Sequence, residues 1–154
     1  MEKSPMPDLK SQPLSEQLTD NFLNIMTNFG HRVALKDHNG ALVKYSSIIN
    51  LCNTKTFSKT KRKLTFCVVD NDLGGISGYL ALLAGQSVPL MLNASINKSQ
   101  LQQLIELYRP KYVWSSEAKS QKIEEASCIL RFRGYCLMEL QMLTLKSTNR
   151  WRYY

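Results

Sequence analysis

A cluster of glycines is the first feature of this sequence that suggests chemistry. Gly74, Gly75 and Gly78 follow an apolar run and open a segment rich in small residues. A glycine-rich turn between a strand and a helix can hold a phosphate at the amino end of the helix. Two of these glycines are adjacent, however, and Leu73 stands where a dinucleotide-binding pattern needs its first glycine. We therefore expect the cluster, residues 74–78, to let a helix pack closely on a sheet.

An acidic turn lies directly before these glycines. Asp70, Asn71 and Asp72 end the apolar run. At the carboxyl end of a parallel strand they would lie on the ligand-binding edge of an α/β sheet, where two carboxylates can hold a metal ion or act as a base. Aspartate is also a common helix N-cap and is favoured by the positive end of the helix dipole. Capping is the role we expect here.

A basic segment spans residues 55–63. Its cationic side chains are Lys55, Lys59, Lys61, Arg62 and Lys63. Such a segment suits contact with nucleic acid, an acidic membrane surface or a phosphate, and it resembles a nuclear import signal. Phe57 is its only aromatic residue, so it offers no platform on which bases would stack. We expect a solvated loop between a helix and a strand.

Histidine and cysteine are sparse. His31 and His38 lie beside predicted turns, where we expect them at the surface rather than as catalytic bases. The four cysteines show no Cys-x-x-Cys spacing, so free buried thiols are expected instead of a zinc site or disulfides; they are Cys52, Cys67, Cys128 and Cys136. No nucleophile elbow, phosphate loop or zinc-binding helix pattern occurs. The residues alone therefore assign no catalytic, cofactor-binding or metal-binding residue.

Three apolar runs separated by helix-length segments predict the elements that would position these groups. The runs are Leu64–Val69, Val88–Leu92 and Lys111–Trp114. Between them, Leu73–Ala84 suits a helix, and a second helix has its apolar stripe on Leu101, Leu104, Ile105 and Tyr108. Strands alternating with helices predict right-handed crossovers and parallel neighbours. The expected fold class is α/β: a partial three-layer sandwich with a mainly parallel central sheet, flanking helices and a short N-terminal hairpin.

The flanking regions complete the prediction. Before the first run we expect a helix whose apolar residues are Leu18, Phe22, Ile25 and Phe29. A tight hairpin around Asn39-Gly40 should follow, with strands at Arg32–Lys36 and Ala41–Tyr45. A short helix is then expected over Ser47–Cys52. After the third run the pattern predicts a helix over Gln121–Ser127 and a strand over Cys128–Arg133, and leaves Tyr135–Leu145 open between strand and helix. We expect a flexible lead-in at 1–13, a domain at 14–135 and a tail of uncertain structure at 136–154.

Composition limits the class of protein. The chain has 154 residues, of which 44% are hydrophobic and 21% charged, enough for one domain with an apolar core. The 7 Gly and 5 Pro show no collagen-like period. No apolar leader follows Met1, so no secretory signal is expected. The uncharged run Leu73–Asn97 is long enough to span a bilayer, but Gly and Pro interrupt it, and we expect a buried helix followed by a buried strand instead. We expect a cytoplasmic protein.

The stretch Gly78–Leu90 carries a family resemblance. It is similar to the adenylate-forming, AMP-dependent synthetases and ligases, in which a strand and an Asn-containing turn precede a helix ending in A-x-x-A-G and then V-P-L. Asn71 stands at the turn, and the other matching positions are Ala81, Ala84, Gly85, Val88, Pro89 and Leu90. The family's next helix and its Y-x-P-K-Y-V strand correspond to Leu101–Tyr108 and 109–114.

Upstream segments extend the resemblance to residues 18–116. They are Asp20-Asn21-Phe22-Leu23, Val33-Ala34-Leu35 and Tyr45-Ser46. The sequence departs from the family where Arg62-Lys63 replace a G-D turn. The chain also stops before the phosphate loop, the adenine and magnesium motif, the ribose-binding Asp and the C-terminal lid with its Lys. No catalytic residue of the family therefore carries over.

The resemblance implies an N-terminal subdomain of such a ligase, truncated before its ATP-binding motifs and inactive alone. The parent family uses ATP and Mg to adenylate a carboxylate and then transfers the acyl group to a thiol; this chain is expected to bind neither cofactor. One alternative is a non-catalytic binding or scaffold module that pairs with a separate chain carrying the remainder. Another is a small basic protein that binds nucleic acid, with further charges from Arg131, Arg133, Arg150 and Arg152; nucleic acid is the less favoured partner. Oligomeric state and substrate stay open.

Overall fold

The computed structural model describes residues 13–141, which form a five-stranded sheet, a two-stranded sheet and six helices within that range. The elements are α1 (Leu14–Asn28), β1 (Val33–Lys36), β2 (Leu42–Lys44), α2 (Tyr45–Cys52), α3 (Lys55–Ser58), β3 (Leu64–Val69), α4 (Leu73–Ala84), β4 (Val88–Asn93), α5 (Lys98–Tyr108), β5 (Tyr112–Ser116), α6 (Glu117–Ser120), β6 (Ala126–Phe132) and β7 (Tyr135–Leu140).

The larger sheet has the strand order β4-β3-β5-β7-β6. The strand β3 pairs in parallel with β4 on one side and with β5 on the other, as the three apolar runs predict. The strand β7 then pairs antiparallel with both β5 and β6. The α/β class is confirmed, and the sheet is mixed, with a parallel half and an antiparallel half.

The helices cover both faces of this sheet. On one face, α4 contributes Ala81 and Leu82 to a core that includes Cys67, Trp114 and Leu137 of the strands. The helices α1 and α2 and the hairpin β1–β2 pack into this same core. On the opposite face, Leu101 of α5 packs with alternate strand residues; these are Phe66, Val68 and Val113. Two cores on either side of one sheet give the three layers that the sequence predicts.

The edge strand β4 differs from its prediction. Its apolar run predicts a buried strand, yet Val88 is 53% exposed and Met91 is 50% exposed. The sheet has no strand beyond β4 among the described residues, because the next strand along the chain, β5, crosses to the far side of β3. An apolar run marks a strand in the sequence, but it does not tell whether both neighbours of that strand are present.

Two local predictions are also wrong. The hairpin is not a tight two-residue turn: Lys36 pairs with Leu42, and Asp37 Oδ1 accepts bonds from the backbone N–H of Asn39 (2.9 Å) and Ala41 (2.8 Å). The aspartate side chain thus organises a wider loop, in which Gly40 takes a positive φ of 84°. The helix expected over residues 121–127 lies earlier, as α6, and residues 126–132 are strand β6.

The end of the described range resolves an open choice. Residues 135–140 form a strand, β7, which contributes Cys136, Leu137 and Met138 to the two cores. The expected lead-in, apart from Pro13, and positions 142–154 of the expected tail lie outside the described residues. None of the helices within 13–141 combines the length and the hydropathy that a membrane crossing requires.

Candidate functional site

The acidic turn after β3 is built into the fold by both oxygens of Asp72. Its Oδ1 accepts a hydrogen bond from the backbone N–H of Gly75 at 2.7 Å, which caps the amino end of α4. Its Oδ2 accepts from the hydroxyl of Tyr135 at 2.9 Å. The capping role expected of this turn is therefore present, and the second oxygen ties α4 to β7.

Tyr135 is the residue of this site that the sequence did not single out. Its hydroxyl also accepts a hydrogen bond from the backbone N–H of Asp70 at 3.3 Å. Its ring stacks on Trp114 with centroids 5.6 Å apart and planes inclined by 20°. Burial, and to a smaller extent the neighbouring carboxylate of Asp72, raises the pKa of the Tyr135 hydroxyl, so the group stays a neutral donor. Its partner Asp72 lies 63 residues away, so no local pattern could have revealed the pair.

The glycines of α4 allow this helix to lie against the sheet. A Cβ placed on Gly78 would stand 2.0 Å from Cε2 of Trp114. A Cβ on Gly74 would stand 2.5 Å from the ring of Tyr135, and one on Gly75 would stand 2.5 Å from the backbone oxygen of Asp70. The space beside these glycines is filled by the protein's own rings and backbone, as the packing interpretation requires.

Two buried polar atoms at this helix–sheet contact have no hydrogen-bond partner within the described part of the chain. They are Oγ of Ser77 and Nε1 of Trp114. Both residues are completely buried. Ser77 precedes Gly78, whose α-carbon faces the indole ring of Trp114. An unpaired buried hydroxyl destabilises the fold, so Ser77 is a residue whose replacement is informative.

The other candidate residues do not gather into a catalytic group. His31 and His38 are exposed. The four cysteines carry free thiols, and burial raises the pKa of Cys52 to about 11 and that of Cys67 to about 12. Residues 13–141 contain no cluster of three or more His, Cys, Asp or Glu side chains that would suit a metal ion. Thiols with raised pKa are poor nucleophiles at neutral pH.

The basic segment, residues 55–63, was expected to be a loop, but its first part forms the short helix α3 and only the rest is a loop. Phe57 is fully buried, so it presents no ring to a nucleic-acid base. Lys61 pairs with Glu16 of α1 at 2.8 Å, and the backbone N–H of Arg62 donates to the carbonyl of Gln86 at 2.8 Å. All five cationic residues of the segment are exposed; they are Lys55, Lys59, Lys61, Arg62 and Lys63.

The arginines of the nucleic-acid alternative are partly engaged elsewhere. Arg131 pairs with Glu117 at 3.1 Å, and Arg133 donates to the backbone oxygen of Leu42 at 2.9 Å. Arg150 and Arg152 lie outside the described residues. The two described arginines of this alternative are therefore engaged by protein groups.

Comparison with known proteins gives a likeness of fold. No family model matches the sequence, and no curated protein matches it. Among solved structures, the chain is similar to the luciferase-like enzyme from the nonluminescent Zophobas morio mealworm, with a TM-score of 0.56 and 16% sequence identity. The match covers 79% of this chain and 30% of that enzyme, so this chain spans less than a third of its neighbour's length.

This result corrects the family assignment made from the sequence. The chain was expected to be an N-terminal subdomain of an adenylate-forming ligase, truncated before the ATP-binding motifs. That assignment is wrong: no family model matches, and a neighbour at 16% identity shows a shared fold alone. The motif positions around Gly78–Leu90 are short and rich in small apolar residues, which recur wherever a helix and a strand pack closely.

Proposed function

We propose that this chain is a non-catalytic module of adenylate-forming-enzyme ancestry that works by pairing with a separate chain. The observation that carries the proposal is the fold likeness to a luciferase-like enzyme over 79% of this chain. Luciferase-like enzymes are relatives of the adenylate-forming family, so the likeness supports an origin among AMP-dependent ligases. The reaction of such a system is the adenylation of a carboxylate by ATP, followed by acyl transfer to a thiol.

The side chains at the strand edge support a non-catalytic role. A general base or a magnesium ligand needs a free oxygen lone pair directed at substrate or metal. Each carboxylate oxygen of Asp72 already accepts one hydrogen bond within the fold, from Gly75 and from Tyr135, and these bonds hold the carboxylate in position as the cap of α4. ATP and Mg would accordingly be held by the partner chain, and the module would contribute shape and stability.

The open edge of the larger sheet supports pairing. The strand β4 carries Val88, Leu90 and Met91 with 53%, 36% and 50% of their surfaces exposed. Its outer side has no neighbouring strand among the described residues. An exposed apolar edge strand is a template on which another chain can add a strand. Pro89 within β4 has no backbone N–H, so pairing here would rest on the apolar surface and on the other backbone groups of the strand.

The experiment is a reconstitution assay with purified chains. This chain alone is tested for carboxylate-dependent exchange between ATP and pyrophosphate, and then with a chain from the same organism that carries the ATP-binding motifs. We expect no exchange from this chain alone, and a stable complex when the partner is added. Exchange by the isolated chain would contradict the non-catalytic role, and failure to associate with any such partner would contradict pairing.

A charge placed on the sheet edge tests where the partner binds. Met91→Lys should weaken the complex by roughly tenfold or more, because a lysine on the edge blocks strand addition. Leu42→Lys is the matched control: it puts the same charge on a residue 43% exposed in the other sheet. Equal weakening by both variants would show that the interface is not at β4.

A further inference from the structure

A cavity of about 290 Å³ lies on the α5 face of the sheet, between α5 and the segment that follows β5. Its apolar lining comes from Ile96, Leu101, Ile105 and Ile123. This volume is at the small end of the range found for ligand sites in proteins. The cavity therefore has room for the apolar body of a compact small molecule.

Three lysines also line this cavity, and they differ in their partners. Lys98 pairs with Glu124 at 2.8 Å. Lys119 donates to the backbone oxygens of Ala94 and Ile96, both neutral acceptors. Within residues 13–141, neither Lys119 nor Lys122 forms an ion pair. Two positive charges thus stand beside an apolar cavity without an ion-pair partner among the described residues.

The position of the Lys119 ammonium group is fixed by two backbone carbonyls. An ammonium group has three N–H donors, and two of them are taken by the carbonyls of Ala94 and Ile96. Lys119 is half-buried, so its charge is screened less than that of a fully exposed lysine. The remaining donor can bond an anion that enters the cavity.

The topology of the sheet explains why a cavity occurs here. The segments after β4 and β5 lead to residues 94–97 and to α6, while the central strand β3 leads to α4 on the opposite face. The cavity lies on the α5 face, where the segments that follow β4 and β5 meet, and Lys119 joins these two segments by bonding Ala94 and Ile96. Ligands commonly bind to α/β sheets at the carboxyl ends of neighbouring strands whose following segments lead to opposite faces of the sheet.

We propose that this cavity binds a small organic anion with an apolar body. The apolar part lies on Leu101, Ile105 and Ile123, and the anionic group meets Lys119 and Lys122. This site shares no residue with the acidic turn or with the edge strand β4, so the proposal does not depend on the proposed function. The anion supplies the counter-charge that the described protein groups do not.

Methyl NMR of the full chain tests the site. The chain contains eight isoleucines, of which three, Ile96, Ile105 and Ile123, line the cavity. Naphthalene-2-sulfonate is titrated at about 0.15 M salt, which screens non-specific attraction to the basic protein. We expect saturable shifts confined to these three methyl signals. The neutral analogue 2-naphthalenemethanol should bind at least about fivefold more weakly, because it lacks the charge.

Charge-reversal variants separate the site from the net charge of +8. Lys122→Glu should weaken binding of the sulfonate by about tenfold or more, because a carboxylate then faces the anion. Lys59→Glu changes the net charge equally at an exposed position in the loop before β3, and should leave the affinity unchanged. The proposal would be overturned if both variants lost affinity equally or if the neutral analogue bound as tightly as the sulfonate. It would also be overturned if no saturable shifts occurred, or if the shifts spread to Ile25, Ile48 and Ile76.

Discussion

Asp72 and Tyr135 show how residues of catalytic type can serve architecture. The carboxylate bonds the first turn of α4 with one oxygen and the hydroxyl of Tyr135 with the other. The tyrosine ring lies on Trp114, and the indole in turn faces Gly78. A chain of contacts thus runs from the acidic turn through two rings to the middle of α4, and each member restricts the size of the next.

Gly78→Ala is expected to destabilise the protein. Alanine would raise helix propensity by about 1 kcal/mol, but the new Cβ would stand 2.0 Å from the indole of Trp114. Forcing a methyl group into a filled core outweighs that gain, so we expect a net loss of about 2 kcal/mol in unfolding free energy by urea denaturation. Gly30→Ala is the control, because its nearest neighbour would be 3.4 Å away, and a comparable loss there would contradict this explanation.

Ser77→Ala is expected to stabilise the protein, which is unusual for a core substitution. The hydroxyl of Ser77 is fully buried and has no partner among the described residues. Removing it relieves a desolvation cost and improves helix propensity, so we expect a gain of about 1 kcal/mol in thermal or urea unfolding. Ser99→Ala, on the exposed side of α5, changes only propensity and should gain less. A loss of stability in Ser77→Ala would mean that the hydroxyl is bonded.

Because the thiol of Cys67 is buried, we expect the free energy of unfolding of the protein to decrease at alkaline pH. Burial raises its pKa from 9.0 to about 12, so the folded state holds the proton after the unfolded chain has lost it. The stability that the protonated Cys67 thiol contributes is fully present below pH 9.0 and is lost as the pH rises toward about 12. Urea unfolding between about pH 8 and 10.5 should show a shallower pH dependence in Cys67→Ala than in the unmodified chain. Identical slopes would contradict the assignment.

At the scale of the element, α5 shows a gradient of burial along one helix. Leu101 is 4% exposed, Leu104 is half-buried on the same core, and Leu107 is 72% exposed. The apolar stripe predicts burial of Leu101, Leu104 and Ile105, and only Leu101 is fully buried, while Leu107 lies outside the stripe. The stripe fixes which side of a helix faces the sheet, but the distance to the sheet depends on how the whole helix is tilted and supported.

Leucine-to-alanine variants of α5 should therefore follow this gradient. We expect Leu101→Ala to cost about 2–5 kcal/mol, Leu104→Ala about 1–2 kcal/mol, and Leu107→Ala less than about 0.5 kcal/mol. Urea unfolding of the three variants measures the series within one element. A cost for Leu104→Ala equal to that for Leu101→Ala would show that the helix lies closer to the sheet than its exposure indicates.

Local patterns account for much of the fold. Apolar runs predict the strands β3 and β5, and an aspartate N-cap followed by small residues predicts the helix α4. The exposure of β4 was not predictable, because it depends on which strand lies beside it. The antiparallel addition of β7 and the bond between Tyr135 and Asp72 join segments that are distant in sequence, and no periodicity encodes that contact.

At the scale of the whole molecule, the structure combines an open sheet edge with a basic surface. The apolar face of β4 lies at one side of the larger sheet, and the formal net charge is +8. A positive field attracts any anion without selecting among them. Selectivity needs groups with fixed positions. Among the described residues, Lys119 beside the cavity is held by two backbone carbonyls, while Lys55, Lys59 and Lys63 of the basic segment are exposed.

Binding of ATP by the isolated chain should consequently be weak and should disappear with salt. A nucleotide site needs a cradle of backbone N–H groups for the phosphates. At the amino end of α4, Asp72 already accepts from the N–H of Gly75, and its carboxylate would repel phosphate. Exposed lysines such as Lys55 and Lys63 can still attract the polyphosphate at low ionic strength. Calorimetric titration with Mg-ATP should therefore detect heat at low salt and little at about 0.15 M, whereas binding that persists at the higher salt would reveal a built nucleotide site in this chain.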